Sequence, residues 1–155
     1  MKIISDSVRS TLAIGKIIGR RLCAGQIVLL YGGLGSGKTV LAKGIAMGLG
    51  IKKESVCSPT FVIMRHHQAR LELYHFDLYR LNNPLEILNL GYQEYLYGQG
   101  VSLIEWPERL KYLLPKEFLQ INLSLVDARR RCLRFKGRGK NYKIMLKELY
   151  EDIRH

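Results

Sequence analysis

Cysteine is too scarce and too scattered here to build a disulfide framework. Cys23, Cys57 and Cys132 are an odd number with no C-x-x-C pair. That argues against a zinc site as well, and fits a reducing compartment. Each is expected to be a small buried hydrophobe. Long apolar runs are also missing. The best, Ile27 to Tyr31, falls far short of the roughly 20 residues of a membrane-spanning helix. The N-terminus, Met1-Lys2-Ile3-Ile4-Ser5-Asp6, lacks the apolar stretch of a secretory signal. Spanning and secreted classes drop out, and a cytoplasmic protein is expected. No repeat, low-complexity tract or Pro/Ser-rich linker marks an internal boundary, so residues 1–155 are expected to form one domain. Acidic residues are few: 13 against 25 Lys and Arg leaves a net charge of +12. This favours polyanionic neighbours, whether nucleotides, nucleic acid or an acidic protein, without choosing among them.

What remains is the composition of an ordinary globule, 47% hydrophobic and 25% charged, with a mean hydropathy of −0.05. Val8, Leu12, Ile18 and Leu22 space out an amphipathic helix, with Ser5 or Asp6 as candidate cap. Gln26 to Tyr31 reads as a buried strand that stops at glycines. Helical spacing returns at Leu41, Ile45 and Leu49 and closes at Gly50. Phe61 to His66 and Leu71 to Phe76 read as strands about a short turn that holds His66-His67. Pro84 to Tyr97 reads as a helix begun by proline. Val101 to Glu105 is another buried strand. Phe118 to Val126 and Cys132 to Phe135 pair about Asp127-Ala128, and Asn141 to Ile153 closes as a helix. Interleaved strands and helices imply an α/β layered sandwich, its central sheet mostly parallel, with antiparallel strands added.

The strongest motif is Gly32-Gly33-Leu34-Gly35-Ser36-Gly37-Lys38-Thr39, a complete G-x-x-x-x-G-K-T phosphate-binding loop between a strand and a helix. Glycines let the backbone turn its N–H groups onto phosphate oxygens, and the helix N-terminus adds positive dipole. Gly33, Leu34, Gly35, Ser36, Gly37, Lys38, Thr39 and Val40 are therefore the candidate nucleotide-binding residues. Lys38 can reach the β- and γ-phosphates, and the Thr39 hydroxyl can ligate Mg²⁺. A glycine-rich turn that binds nothing is the plain alternative, but the flanking strand and helix favour ATP or a similar triphosphate. Such a loop needs an acid at a neighbouring strand end. Glu105, ending Val101–Ile104, and Asp77, after Leu73–Phe76, both qualify.

Beyond the loop, Ser58-Pro59-Thr60-Phe61, His75-Phe76-Asp77-Leu78-Tyr79-Arg80-Leu81, Gly91 with Glu94-Tyr95-Leu96, and Ile104-Glu105-Trp106-Pro107-Glu108-Arg109 follow in order. Together they resemble the TsaE (YjeE) family, small ATPases of tRNA threonylcarbamoyladenosine synthesis. The resemblance runs from about Thr11 to Pro115. It implies that Thr39 and Glu105 hold Mg²⁺ and that Lys38 serves the phosphates. It places Asp77 near the γ-phosphate, either as a partner to the metal's surroundings or as the group that orients the attacking water, and Thr60 in a nucleotide-sensing segment, so that Lys38, Asp77 and Thr60 form the catalytic set. It also puts Thr11 near the base. Trp106 could stack on a base or partner, or fill the core beside the site. His75 reads as a satisfied strand-end histidine rather than a general base. Tyr79 and Arg80 could be structural or face a partner. The implied partners are a TsaB–TsaD-like pair that modifies the adenosine beside the tRNA anticodon.

Two departures stand out. Gly33 occupies a position where the family usually has an acid. Nine basic residues lie between Ala128 and Lys147 with no acid among them. They can be a solvated strand face and helix, a contact for tRNA phosphates, or the source of one arginine that reaches the nucleotide. Two rival functions follow from the loop and the charge: a small-molecule kinase, and a nucleotide-gated RNA-binding module.

Overall fold

The computed structural model describes residues 1–57 and 62–155. Ser58-Pro59-Thr60-Phe61, and with it the expectation for Thr60, lies outside the described residues. The described elements, in chain order, begin with β1 (Lys2–Ser5), α1 (Val8–Arg21), β2 (Ile27–Tyr31) and α2 (Lys38–Gly48). Then come β3 (Met64–His67), β4 (Leu73–Asp77), α3 (Pro84–Asn89), α4 (Tyr92–Leu96) and β5 (Val101–Glu105). After a 3-10 segment, Pro107–Leu113, the chain ends in β6 (Phe118–Leu125), β7 (Arg131–Arg138) and α5 (Lys140–Arg154).

The strands make one sheet in the order β1-β7-β6-β2-β5-β4-β3. Its central four, β6, β2, β5 and β4, are parallel, while β7, β1 and β3 join antiparallel. This is the expected layered α/β arrangement. Strands β2 and β5 are buried on both faces, which explains why they read as unbroken apolar runs rather than as alternation. Val28, Leu30 and Leu103 meet Ile18 of α1, Leu41 and Ile45 of α2, and Met145 and Leu149 of α5 in one core. Ile27, Leu29 and Ile104 meet Phe76, Ile87, Tyr92, Leu96 and Leu110 in a second. Each fully buried Leu or Ile contributes about 1.5–3 kcal/mol relative to exposure.

Helices α1 and α2 cross so closely that glycine is required at the contact. A Cβ on Gly15 would lie 2.6 Å from the Leu41 carbonyl oxygen, and one on Gly44 would lie 2.9 Å from the Cα of Gly15. Gly19 and Gly48 meet one turn further on, against the Ile45 carbonyl and each other. Backbone meets backbone along this seam.

Several local expectations are corrected. The cap of α1 is Ser7, whose hydroxyl accepts the Ser10 N–H at 3.1 Å, and neither Ser5 nor Asp6. Ser5 instead belongs to β1, an edge strand with no periodic signal of its own. Its pairing to β7 spans almost the whole chain. Val8 lies on the exposed side of α1. The helix expected over Pro84–Tyr97 is two short helices, because Gly91 takes a left-handed φ of 69° and restarts the chain as the cap of α4. His66 and His67 are strand residues of β3, paired with Tyr74 and Leu73, and the turn follows them. Strand β7 extends past Phe135 to Arg138. Cys132 is buried, but Cys23 and Cys57 are exposed. No helix among the described residues is long and apolar enough to cross a membrane.

Candidate functional site

The parallel register brings three pieces of chain to one end of the sheet. Strand β2 runs into the glycine loop, and its neighbour β5 ends at Glu105. Strand β4, next to β5, ends at Asp77, which is paired directly with Glu105. In open α/β sheets the crevice beyond the carboxyl ends of the strands is where ligands bind. Here that crevice is a cavity of about 370 Å³. Leu34, Gly35, Ser36, Gly37, Lys38, Thr39 and Val40 line one side of it, and Asp77, Glu105 and Trp106 line another. These sequence-derived candidates are thus brought together.

The loop is shaped for anions. Gly35 and Gly37 sit at φ 74° and 103°, conformations that other residues rarely take. Gly37 then caps α2 with no side chain in the way of its first N–H groups. The Lys38 ammonium donates to the carbonyl oxygens of Gly32 and Gly33, the latter at 2.9 Å, and lies 4.1 Å from the centre of the Trp106 ring. Burial pushes Lys38 below the ordinary lysine value, while the carboxylates of Glu105, Glu108 and Asp77 pull the other way. Trp106 itself has a left-handed backbone, φ 59°, and packs on Tyr79 with ring centres 4.8 Å apart. It therefore joins the site rather than the core alone.

Glu105 is buried and shared between two partners. One oxygen lies 3.3 Å from the Thr39 hydroxyl, and the other accepts from His75 Nε2 at 2.6 Å. Asp77 is also buried, and it accepts the Tyr79 N–H at 3.0 Å. The donor set suits a triphosphate with Mg²⁺. A hydroxyl and a carboxylate meet where a hard cation would take oxygen ligands. The buried Ser36 hydroxyl has no hydrogen-bond partner among the described residues, at the turn where phosphate oxygens would accept from it.

Thr11 and Gly33 do not line the cavity. Thr11 is buried at the start of α1, its hydroxyl 2.7 Å from that of Ser5 and 3.1 Å from the Ser7 carbonyl. A Cβ on Gly33 would meet nothing within 4 Å, so a side chain could stand there without a clash. Two residues whose place the sequence left open also line the cavity. Arg131, one of nine basic residues in its stretch, lines the cavity, and its Nε would lie 3.8 Å from a Cβ on Gly37. Tyr79 lines it too. Only the register of β7 on β6, and of β6 on β2, carries Arg131 to the loop.

A sequence model of the family described as threonylcarbamoyl adenosine biosynthesis protein TsaE matches residues 5–133. The chain belongs to the TsaE family. Among TsaE relatives, the tRNA threonylcarbamoyladenosine biosynthesis protein TsaE of Treponema pallidum (strain Nichols) is 43% identical over 131 residues, 84% of this chain and 96% of that protein. The protein of the same name from Bacillus subtilis (strain 168) is 40% identical over 140 residues, 90% of this chain and 87% of its own length. The crystal structure of Bacillus subtilis YdiB superposes with a TM-score of 0.86 at 35% identity, covering 98% of this chain and 95% of that one. The resemblance carried by the Ser58–Phe61, His75–Leu81 and Ile104–Arg109 segments therefore holds, and the fold is shared with a solved structure at 35% identity.

Proposed function

We propose that this TsaE-family chain hydrolyses ATP with Mg²⁺ as an accessory subunit in the synthesis of threonylcarbamoyladenosine in tRNA. It would act as one domain, residues 1–155, in the cytoplasm, beside a TsaB–TsaD-like pair that carries out the transfer. The observation that carries this reading is the convergence of Lys38, Thr39, Glu105 and Asp77 on one cavity at the ends of β2, β5 and β4.

In this reading the loop N–H groups from Gly33 to Val40 cradle the phosphates, and Lys38 neutralises their charge. Thr39 and Glu105 would hold the metal ion. When bound, Mg²⁺ would supply charge neutralisation at the phosphates. Asp77 orients the attacking water and takes up its proton as the γ-phosphate leaves as inorganic phosphate and ADP remains. Thr60 would sense the γ-phosphate. Leu34 and Trp106 offer apolar surface to the nucleotide, and family likeness assigns Thr11 to the base end. A kinase would need an acceptor site and arginines over the phosphates. Among the described residues, Arg131 is the one arginine lining the cavity.

The test is ATP turnover by the purified chain, alone and with a bacterial TsaB–TsaD pair. Low turnover that rises with the pair, and disappears in Lys38→Ala, is expected. Turnover that ignores the pair but responds to a small hydroxylated acceptor would overturn the reading in favour of a kinase.

A further inference from the structure

The second face of the sheet is only partly covered. Helices α3 and α4 and the segment Pro107–Leu113 pack over β4, β5 and β2 through Phe76, Ile104 and Leu29. On the same side, β6, β7 and β1 carry no layer, and Asn122, Ser124, Arg134, Lys136, Arg138 and Lys2 are exposed there. Strand register sets these side chains in rows. Lys2 pairs with Arg134, Arg134 with Asn122, Lys136 with Gln120, and Arg138 with Phe118. Between them lies a shallow depression of about 470 Å³, where the Gln120 amide donates to Asn122 at 2.7 Å.

Three properties of this face point to one kind of partner. Neither β1, β6 nor β7 contains an acid, and none of Lys2, Arg134, Lys136 and Arg138 forms an ion pair among the described residues. Four like charges thus stand on one open surface, a cost in self-repulsion that a polyanion would relieve. Arg134, Lys136 and Arg138 recur every second residue, about 6.8 Å apart along the strand. That spacing is of the order of consecutive phosphates along a nucleic-acid strand. Apolar anchors are nearly lacking: Ile4 is exposed, while Phe118 is buried and lies 5.9 Å beneath the Arg138 guanidinium. A protein partner would need aromatic or aliphatic anchors at the centre of its contact.

We propose that the open face of β6, β7 and β1 binds the phosphate backbone of RNA. Lys2, Arg134, Lys136 and Arg138 are the charged contacts, and Gln120 and Asn122 hydrogen-bond sugar or phosphate oxygens between them. The choice of RNA among polyanions rests on the proposed role in tRNA modification; the anion-binding face itself does not. Contacts of this kind position a strand without reading its bases, so binding depends steeply on salt and weakly on sequence.

The experiment is fluorescence anisotropy of a dye-labelled tRNA transcript titrated with the full chain over a range of salt concentrations. For four phosphate contacts the slope of log affinity against log salt is expected near roughly −3. R134E/K136E is expected to weaken binding at least tenfold and to flatten the slope. K52E/K53E makes the same charge change at exposed positions beside β3, at the opposite edge of the sheet from β1, and is expected to weaken binding less than threefold. The neutral pair R134Q/K136Q should show the same ranking with a smaller loss, which guards against misfolding of the reversed variant. Equal losses in the R134E/K136E and K52E/K53E variants, a slope near zero, or displacement of the tRNA by polyglutamate at equal charge would each overturn the proposal. ATP turnover measured on the same preparations separates the two readings. RNA binding that survives R134E/K136E sinks this one while leaving hydrolysis untouched.

Discussion

His75 Nε2 lies 2.6 Å from Glu105 Oε2, with both side chains buried, while the other carboxylate oxygen of Glu105 faces the Thr39 hydroxyl at 3.3 Å. The other ring nitrogen, Nδ1, is buried with no hydrogen-bond partner among the described residues. The contact fits a histidine satisfied at a strand end, and it also makes His75 a candidate positioning residue for Glu105.

Replacing His75 by Ala is expected to raise the Mg²⁺ concentration needed for half-maximal nucleotide binding about 10–100-fold, the usual cost of losing such a support. His75→Gln, which can still donate, should recover most of it. Calorimetric titration of Mg²⁺ into the chain with ADP reads this directly. A merely structural histidine would lower the melting temperature and leave the Mg²⁺ requirement unchanged.

Asp77 stands beside Glu105 in the strand register and accepts the Tyr79 N–H. Asp77→Asn keeps the shape and removes the base. Nucleotide affinity should stay within about threefold while phosphate release falls on the order of 100-fold or more. Equal losses in both would make Asp77 a binding group.

Arg131 reaches the loop from β7. Arg131→Ala should weaken nucleotide binding by about 1.5–3 kcal/mol, the range for hydrogen bonds to charged groups. A fluorescent-nucleotide competition assay compares it with Arg131→Lys, which keeps the charge but loses the fork. An unchanged dissociation constant in Arg131→Ala would remove Arg131 from the site.

The α1–α2 seam allows a stability test. Alanine at Gly19 gains helix propensity of up to about 1 kcal/mol. Its Cβ, however, would press on the Ile45 backbone carbonyl and Gly48, which are not free to give way. Overpacking should win, with a net loss of about 1–3 kcal/mol in urea unfolding. A more stable Gly19→Ala would mean that the helices can separate cheaply.

Tyr92 sets a limit on the alkaline side. Its hydroxyl donates to the Leu113 carbonyl at 2.9 Å, and burial, with Tyr97 and Tyr112 adding to it, pushes the group up to about 12. The folded value lies above the unfolded one of about 10, so the stability it contributes is intact below that pH. It is lost as pH climbs from about 10 to about 12. Tyr92→Phe should flatten part of this fall in denaturation curves, and only part, because burial also raises Tyr142.

How much of this was legible in the sequence depends on how local the signal was. The Gly32–Thr39 loop, the β2 and β5 strands and the acids at Glu105 and Asp77 could be read because each is announced within about eight residues. The cap at Ser7, the break at Gly91 and the edge strand Lys2–Ser5 were not, since neighbouring residues offered competing choices or the partner lay more than a hundred residues away. Arg131 and the His75–Glu105 pair are products of strand register. The glycines at 15, 19, 44 and 48 drew no reading from the sequence, and they are where the two helices touch. Cys23 and Cys57 are exposed, because composition alone says little about which face a residue takes.

Trp106 is the sole tryptophan of the chain, and it lies against both Lys38 and Tyr79 at the mouth of the phosphate loop. Light absorbed near 295 nm is therefore re-emitted from this one place, on the order of one ring-width from the charged ammonium, a distance at which cation–ring contact alters an indole. Any movement of Lys38 away from the ring, such as the proposed reach towards a phosphate, should change the colour and yield of that emission. The molecule thus carries an unlabelled optical gauge of its own loop.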